Sequence, residues 1–201
     1  MKIRYAIFII ILLVSCRKEE TIILPFDWVV KGNSITYNFI SDTEFVEAAL
    51  ILNVGRNDLT DQFQIDFSYP LWGEIPSSKN VGEDYRVVRK SDGLNGQATQ
   101  SCVYGGMIPS FFDFIRVPVD PILNDTLVTY LCTDVVSNYL IVREIDKEIN
   151  VPLGTFSTLV LHDFIGKRKE FWDEKNGLIL IEKLDENENV TGRYEAASRN
   201  F

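Results

Sequence analysis

The sequence predicts an all-β or β-dominated fold with at most one or two short helices, and three patterns support this class. Apolar and polar residues alternate along Ser34–Ile40 and Gln62–Phe67, as expected for antiparallel strands with one solvated face. β-Branched and aromatic runs are bounded by Gly, Pro, Asn and Asp, which are typical turn residues. Gly177–Leu184 and Val190–Glu195 flank a five-residue polar turn, Asp185–Asn189, which is a common hairpin length.

The remaining elements follow from the same signals along the chain. Thr43–Leu52 is the one stretch with helical spacing, behind a cap at Ser41 or Asp42, although its consecutive apolar residues fit a strand equally well. The Pro-, Gly- and aromatic-rich segments Pro70–Val81 and Gly105–Pro121 are predicted to be long loops that pack over the sheet. Further strands are predicted at Tyr85–Lys90, Ser101–Tyr104, Thr126–Thr133, Asn138–Asp146 and Ser157–Asp163.

The composition is that of one folded, acidic domain. The 201 residues are 46% hydrophobic and 24% charged, and no repeat or shift in composition divides them. The formal net charge of −9 argues against nucleic acid as a partner, because such binding needs a basic patch. The same charge disfavours electrostatic adhesion to an anionic membrane surface. With a single histidine, the chain lacks the residues for most histidine-dependent chemistry.

The N-terminus carries the pattern of a lipoprotein signal peptide. Two basic residues precede the apolar run Tyr5–Val14, which is too short to span a bilayer, since a span takes about 20 residues. The run ends in Leu13-Val14-Ser15-Cys16, which resembles the lipobox of bacterial lipoproteins, where the cysteine sulfur receives a diacylglyceryl group before cleavage. We therefore expect residues 1–15 to be the signal peptide and Cys16 to be the lipidated residue. The alternative is a buried N-terminal strand or helix with an incidental cysteine.

Residues 16–20 are predicted to be the lipidated terminus and a charged tether. Removing residues 1–15 leaves 18 Lys and Arg against 29 Asp and Glu, a formal charge of −11. Attachment to a membrane must therefore come from acyl chains such as palmitate, since two or more long chains anchor a protein stably. Arg17–Glu20 also resembles the charged segment that directs many Bacteroidota lipoproteins to the outer membrane, on its periplasmic face or at the cell surface. Residues 21–201 then form a single β-rich domain.

Four motifs, in order along the chain, resemble a group of uncharacterised lipoproteins from Bacteroidota. Leu24-Pro25 followed by Gly32–Tyr37 is similar to their opening pattern, and Tyr85–Leu94 is similar to their charged strand with an Asp-Gly turn. Ile149–Phe156 resembles Val-Pro-Ala-Gly-Thr-Phe, and Phe171–Ile179 resembles their Gly-Leu-Val strand start. This group is similar in turn to the LolA/LolB-like periplasmic lipoprotein carriers and receptors. The resemblance implies a single antiparallel, strongly curved sheet, an incomplete β-barrel, around a cavity for an apolar or lipid-like ligand.

Two of these motifs contain predicted turns. Pro152 lacks the N–H of a ladder hydrogen bond and therefore belongs at a strand boundary. Gly154 is expected to supply a tight turn or a positive φ, and Phe156 to re-enter the core on the next strand. Gly177 is expected to open a strand in the same way.

The residues offer little support for catalysis, a metal or a cofactor. His162 lies near the end of a predicted strand, and no Gly-x-Ser-x-Gly motif supplies a nucleophile for it. Zinc sites draw on several Cys and His ligands, whereas only Cys102, Cys132 and His162 remain once Cys16 is lipidated. No nucleotide-binding or calcium-binding motif is present, so no cofactor is expected. Two carboxylates would suffice for glycoside hydrolysis, which keeps a hydrolase as an alternative, but we expect no enzyme.

Cys102 and Cys132 are an even pair on an export route that permits disulfides. A bond between them would close a loop of about thirty residues and stabilise the fold by about 3–4 kcal/mol. The alternative is two separately buried thiols.

Two functions fit the sequence best. The first is a lipid-anchored cell-envelope protein that binds an apolar or lipid-like ligand in its curved sheet. The second is an envelope or surface interaction module that engages a protein or a glycan through aromatic loops, with no ligand pocket. The aromatic segments Pro70–Trp72 and Pro109–Phe114 would be lids in the first and contact loops in the second. Such aromatics more commonly fill the core of a β protein.

Overall fold

The computed structural model describes residues 24–41, 45–56, 63–68, 85–98, 112–132, 135–164 and 167–201. In these residues twelve strands form one antiparallel sheet and no helix is present, which confirms the predicted all-β class. The strands are β1 (Ser34–Ile40), β2 (Phe45–Arg56), β3 (Phe63–Ser68), β4 (Tyr85–Lys90), β5 (Gly93–Ala98), β6 (Phe112–Pro118), β7 (Thr126–Cys132), β8 (Val135–Val151), β9 (Gly154–Asp163), β10 (Arg168–Asp173), β11 (Gly177–Leu184) and β12 (Val190–Arg199).

The sheet is a meander whose opening lies between β6 and β7. Apart from β6 and β7, strands that follow one another in the chain are paired with each other, and β1 also pairs with β12. The order across the sheet is therefore β6-β5-β4-β3-β2-β1-β12-β11-β10-β9-β8-β7. The first and last strands meet in the middle of the sheet, while β6 and β7 are its edges, so the sheet is not closed into a barrel.

Residues of strands that are not neighbours in this order come together on one side of the sheet, which shows that the sheet is strongly curved. Val117 of β6 and Trp172 of β10 line one groove, although seven strands lie between them. The Tyr37 hydroxyl of β1 reaches past β12 and donates a hydrogen bond to the Leu178 carbonyl of β11, at 2.7 Å. These contacts confirm the predicted single, curved sheet that stops short of a barrel.

The inner face of the curved sheet holds the core. Along β1, Ile35 and Tyr37 are fully buried whereas Thr36 between them is half-buried, as the alternating sequence predicts. Ile35 pairs with Leu52 of β2 and Tyr37 with Ala196 of β12, and both partners are fully buried. Apolar burial of this kind contributes about 25 cal/mol per Å² and is the main stabilising term of the sheet.

The segment before β1 covers one end of the inner face, which we call the N-terminal end of the sheet. Phe26, Trp28 and Val29 are buried there. The Trp28 ring lies 6.3 Å from the Trp172 ring and 6.5 Å from the Phe201 ring. The segment is also hydrogen-bonded to β4, because the Arg89 side chain donates to the carbonyls of Leu24 and Pro25. The start of the described chain is therefore packed firmly against this end of the sheet.

The structure decides one open alternative and corrects one predicted loop. Of the helix and the strand considered for Thr43–Leu52, the described residues form the strand β2 (Phe45–Arg56), which is paired on both sides, by β1 and β3, so that cross-strand hydrogen bonds override the helical spacing. Gly105–Pro121 is not one long loop, since Phe112–Pro118 forms the edge strand β6 with Pro118 at its end, where a missing N–H is tolerated.

The predicted and observed strands also differ in number and in their bounds, and some predicted segments lie outside the described residues. β5 and β10 have no counterpart among the predicted strands, and β8 is longer than predicted at both ends. The predicted strand Ser101–Tyr104 and the predicted loop Pro70–Val81 lie outside the described residues.

Two glycines confirm the turns that the sequence predicts. Gly154 follows the turn at Pro152 and Leu153 with a φ of +144°. Gly177 opens β11 with a φ of +87°, and a Cβ there would lie only 3.1 Å from Ile35 and 3.2 Å from Trp28. Glycine at this position thus allows the β10–β11 turn to pack closely against the buried N-terminal segment.

Candidate functional site

A groove with a volume of about 470 Å³ opens at the N-terminal end of the sheet, and we call it the apolar groove. Its apolar lining comes from the segment before β1, from β6, β8, β9 and β10, and from the turn after β6: Phe26, Val117, Pro118, Val119, Pro121, Ile145, Leu159 and Trp172. The polar lining residues are Asp146, Ser157, Thr158, Asp173, Glu174 and Lys175. The volume lies within the range of small-ligand pockets, which begins at about 300 Å³.

Trp172 is fixed in the lining of the apolar groove by its surroundings. Its Nε1–H donates a hydrogen bond to Glu170 Oε2 at 3.0 Å, and Leu159 is its partner across β9 and β10. The neighbouring Trp28 Nε1, by contrast, is buried and has no hydrogen-bond partner among the described residues. The Trp172 side chain is therefore held in place on both sides of the groove lining by these contacts.

A second groove, of about 360 Å³, lies on the outer face of the same strands, and we call it the charged groove. Its apolar lining is Phe171, Leu180 and Ile149, of which the first two are buried. Its polar lining is Asn150 and six charged residues of both signs, Glu144, Lys147, Lys169, Glu182, Arg193 and Glu195. Two ion pairs lie within it, Lys147–Glu144 at 2.8 Å and Arg193–Glu182 at 3.0 Å. The hydrogen bond to Glu144 raises the pKa of Lys147.

Three charged residues of β9 and β10 form what we call the buried ion cluster. The Arg168 Nε lies 2.9 Å from Glu170 Oε1 and 3.4 Å from Asp163 Oδ2, and both carboxylates are almost completely buried. Register places these three on the same face as Trp172. Burial raises the pKa of Tyr37 well above its usual range, and the nearby Glu170 charge raises it further. The three charges of the cluster are thus paired with one another on the inner face of the sheet.

His162 is the penultimate residue of β9, which confirms that it lies at a strand end, and it is almost completely buried. Its ring centroid lies 3.9 Å from that of Phe164. Burial is the largest effect on this group and lowers the pKa of His162; the Glu188 charge partly opposes it, and Arg143 and Lys169 lower the pKa further. Burial therefore favours the neutral form of the His162 ring.

The other predicted site residues are only partly covered by the structure. Cys132 ends β7, whereas Cys16 and Cys102 lie outside the described residues, as do the signal peptide, the tether and the aromatic segment Pro70–Trp72. Lipidation and the Cys102–Cys132 bond therefore stay predictions. In the described part of the chain, no group of three or more His, Cys, Asp and Glu residues could hold a metal ion. Among the same residues, no helix is long and apolar enough to cross a membrane.

The sequence predicts neither groove, although β10 carries one signal. Phe171 and Trp172 are consecutive apolar residues in a short segment, which is a pattern of strands buried on both faces. The remaining lining residues come from five segments of the chain, and only the curvature of the sheet brings them together.

No family model and no curated protein matches the chain. Two solved structures align with it. One is a candidate lipoprotein from Parabacteroides distasonis, with 10% identity, a TM-score of 0.44, and coverage of 88% of this chain and 99% of that chain. The other is a candidate exported protein with a YmcC-like fold from Bacteroides fragilis, with 10% identity, a TM-score of 0.43, and coverage of 86% and 97%. Neither is described as a LolA/LolB-like carrier, so the comparisons do not support that finer resemblance.

Proposed function

We propose that this chain is a lipid-anchored protein of the bacterial cell envelope, held at the outer membrane, that binds an apolar or lipid-like ligand in the apolar groove. The anchor rests on the ordered signal-peptide pattern that ends at Cys16. The ligand rests on one observation, the groove of about 470 Å³ with its eight apolar lining residues. The proposal assigns the chain no catalytic reaction and no nucleic-acid partner.

The lining indicates the chemistry of the ligand. Phe26, Leu159 and Trp172 are buried and rigidly packed, so they offer a preformed apolar surface. Each Å² of ligand surface removed from water would contribute about 25 cal/mol, and the polar residues beside the groove would orient the ligand. The eight apolar lining residues would contact a hydrocarbon chain, and the polar residues of the same groove would contact the polar end of a lipid-like ligand.

A fluorescent fatty acid tests ligand binding directly. A chain of residues 17–201, which lacks the anchor, is titrated with dansyl-undecanoic acid, and we expect the fluorescence to rise as the probe leaves water. Val119→Asp places a carboxylate in the lining, and we expect it to weaken binding at least tenfold, which is about 1.4 kcal/mol. Lys169→Ala, in the charged groove, is the matched control and should leave the affinity unchanged. Folded protein that does not bind the probe would contradict the proposal.

The anchor is tested in cells that express the full chain. Cys16→Ala should accumulate as a precursor that keeps residues 1–15 and takes up no labelled fatty acid, because the sulfur is the acceptor. Processing and labelling of this variant at the level of the original protein would show that the lipobox interpretation is wrong.

The charged groove favours a second function, an envelope interaction module that engages a protein or a glycan. Its mixed charges lie over a floor that contains Phe171 and Leu180, a combination suited to a polar partner with one apolar group. Under this alternative, folded protein would not bind the fatty acid, and a change at Lys169 would weaken partner binding where Val119→Asp would not.

A further inference from the structure

Exposed apolar side chains are concentrated near one end of the molecule. Among the described residues, six large hydrophobic side chains are exposed: Val30, Ile122, Leu123, Ile145, Val190 and Phe201. Val30 follows the buried N-terminal segment, Phe201 stacks on Trp28 within it, and Ile145 lines the apolar groove. Val190, in contrast, begins β12 and is separated from Phe201 by the length of that strand, about 30 Å.

The two most exposed of these residues, Ile122 and Leu123, are presented on a well-held turn between β6 and β7. They are 69% and 53% exposed, and Pro121 immediately before them lines the apolar groove. Backbone hydrogen bonds fix the turn to itself and to β8: the Asp125 N–H donates to the Ile122 carbonyl at 3.0 Å, and the Asn124 N–H donates to the Val142 carbonyl at 2.8 Å. Two large apolar groups are therefore held in solvent beside the groove opening by a turn that cannot easily fold them away.

The length of the tether limits the distance between the proposed anchor and this end of the sheet. Seven residues lie between Cys16 and Leu24, and the eight steps from one Cα to the next span roughly 26–29 Å even when the chain is fully extended. Leu24 accepts a hydrogen bond from Arg89, and Phe26 lines the apolar groove. The acyl chains on Cys16 would thus keep the N-terminal end of the sheet within roughly 29 Å of the bilayer surface.

We propose that this end of the domain lies against the bilayer that holds the anchor, with Ile122 and Leu123 inserted among the lipids and the apolar groove opening toward them. This rests on the anchor of the proposed function. The expected surface is zwitterionic, because the turn is flanked by the exposed acidic residues Asp120 and Asp125, which an anionic surface would repel. The groove would then exchange its ligand with the membrane without passing it through water.

Photolabelling of the full, lipidated chain tests this orientation. The protein is reconstituted into phosphatidylcholine vesicles that contain a phospholipid with a diazirine on its acyl chain, irradiated, digested and mapped by mass spectrometry. We expect adducts on the peptide with Ile122 and Leu123 to be about tenfold more frequent than on the peptide with Val190, the matched exposed residue at the far end of β12. Phosphatidylglycerol vesicles should give fewer adducts on the turn.

A pair of variants sharpens the comparison. Ile122→Ser with Leu123→Ser should reduce labelling of the turn to the level of the Val190 peptide, whereas Val190→Ser should change nothing. Equal labelling of both ends, or stronger labelling at Val190, would overturn the orientation, and mapping of the unmodified protein gives this result without any variant. The mass of the N-terminal peptide separates the two proposals: a missing acyl group would overturn the anchor itself, whereas an acylated peptide without turn adducts would overturn only the orientation.

Discussion

Two consecutive residues of β10 line two different grooves. Side chains alternate between the faces of a strand, so Phe171 lines the charged groove and Trp172 lines the apolar groove. Glu144 and Ile145 of β8 repeat this arrangement. The two grooves are thus separated by one layer of backbone, and their different chemistry comes from the alternation of side chains alone.

The two faces also differ in how deeply their charged side chains are buried. On the inner face, Asp163 and Glu170 are almost completely buried and share Arg168. In the charged groove, the side chains of Lys147 and Glu144 are 45% and 49% exposed. The two inner-face carboxylates are paired within the protein, whereas the exposed pair of the charged groove stays in contact with water. The comparison therefore separates a set of buried, paired charges from a set of exposed ones.

Removal of Trp172 should have the largest effect on the inner face. Trp172→Ala deletes a large buried ring and leaves Glu170 Oε2 without its indole donor, so we expect the free energy of unfolding to fall by about 3–5 kcal/mol. Urea unfolding followed by circular dichroism measures the loss. Trp172→Phe keeps most of the ring volume and should cost less than Trp172→Ala. Unchanged stability in the alanine variant would contradict a structural role for Trp172 in the apolar groove.

Substitution of one glutamate on each face compares the stability contributed by buried and by exposed charges. Glu170→Ala removes one of the two carboxylates beside the half-buried Arg168 side chain and leaves the buried Trp172 indole N–H without its acceptor, so we expect a loss of about 2 kcal/mol. Glu144→Ala breaks a pair that water already screens and should leave the urea midpoint unchanged. Equal effects of the two substitutions would remove the distinction between a buried and an exposed set of charges.

The parts of the fold that the sequence predicts are those specified by local pattern. The β11–β12 hairpin was identifiable because Gly177 starts one strand and Asp185 starts a polar turn, where its carboxylate accepts hydrogen bonds from the Asn187 and Asn189 amides. The Asn189 side-chain amide also donates to Asp185 and is the largest cause of its lowered pKa, and the backbone hydrogen bonds lower that pKa further. β1 was identifiable because Ser34–Ile40 alternates and its buried positions match that alternation.

The parts that the sequence does not predict depend on distant partners. Gly93–Ala98 has neither alternation nor β-branched residues, and it forms β5 because β4 and β6 pair with it on both sides. Phe45–Arg56 carries helical spacing, yet sheet pairing decides its structure. The apolar groove needs Val117 to meet Trp172 across seven intervening strands, and no local pattern encodes that approach.

The smallest predicted effect concerns pH and the outer face. His162 pairs across β9 and β10 with Lys169 of the charged groove, and burial lowers the pKa of His162 below its unfolded value of about 6.5. The unfolded chain therefore binds more protons at this residue than the folded chain as the pH falls below that value. The stability contributed by the neutral ring is fully present above about pH 6.5 and is lost as the pH falls toward the folded-state pKa.

Urea unfolding at pH 7.5 and pH 5.5, a range above most carboxylate titration, measures this effect. We expect the free energy of unfolding to fall toward pH 5.5, and the fall to be smaller in His162→Gln, which keeps a polar side chain but has no group that titrates in this range. Lys169→Ala removes a nearby positive charge that lowers the pKa of His162, so it should also reduce the fall. An equally steep pH dependence in His162→Gln would show that His162 is not the titrating group. The pH dependence of the free energy of unfolding would then come from the exposed charged residues.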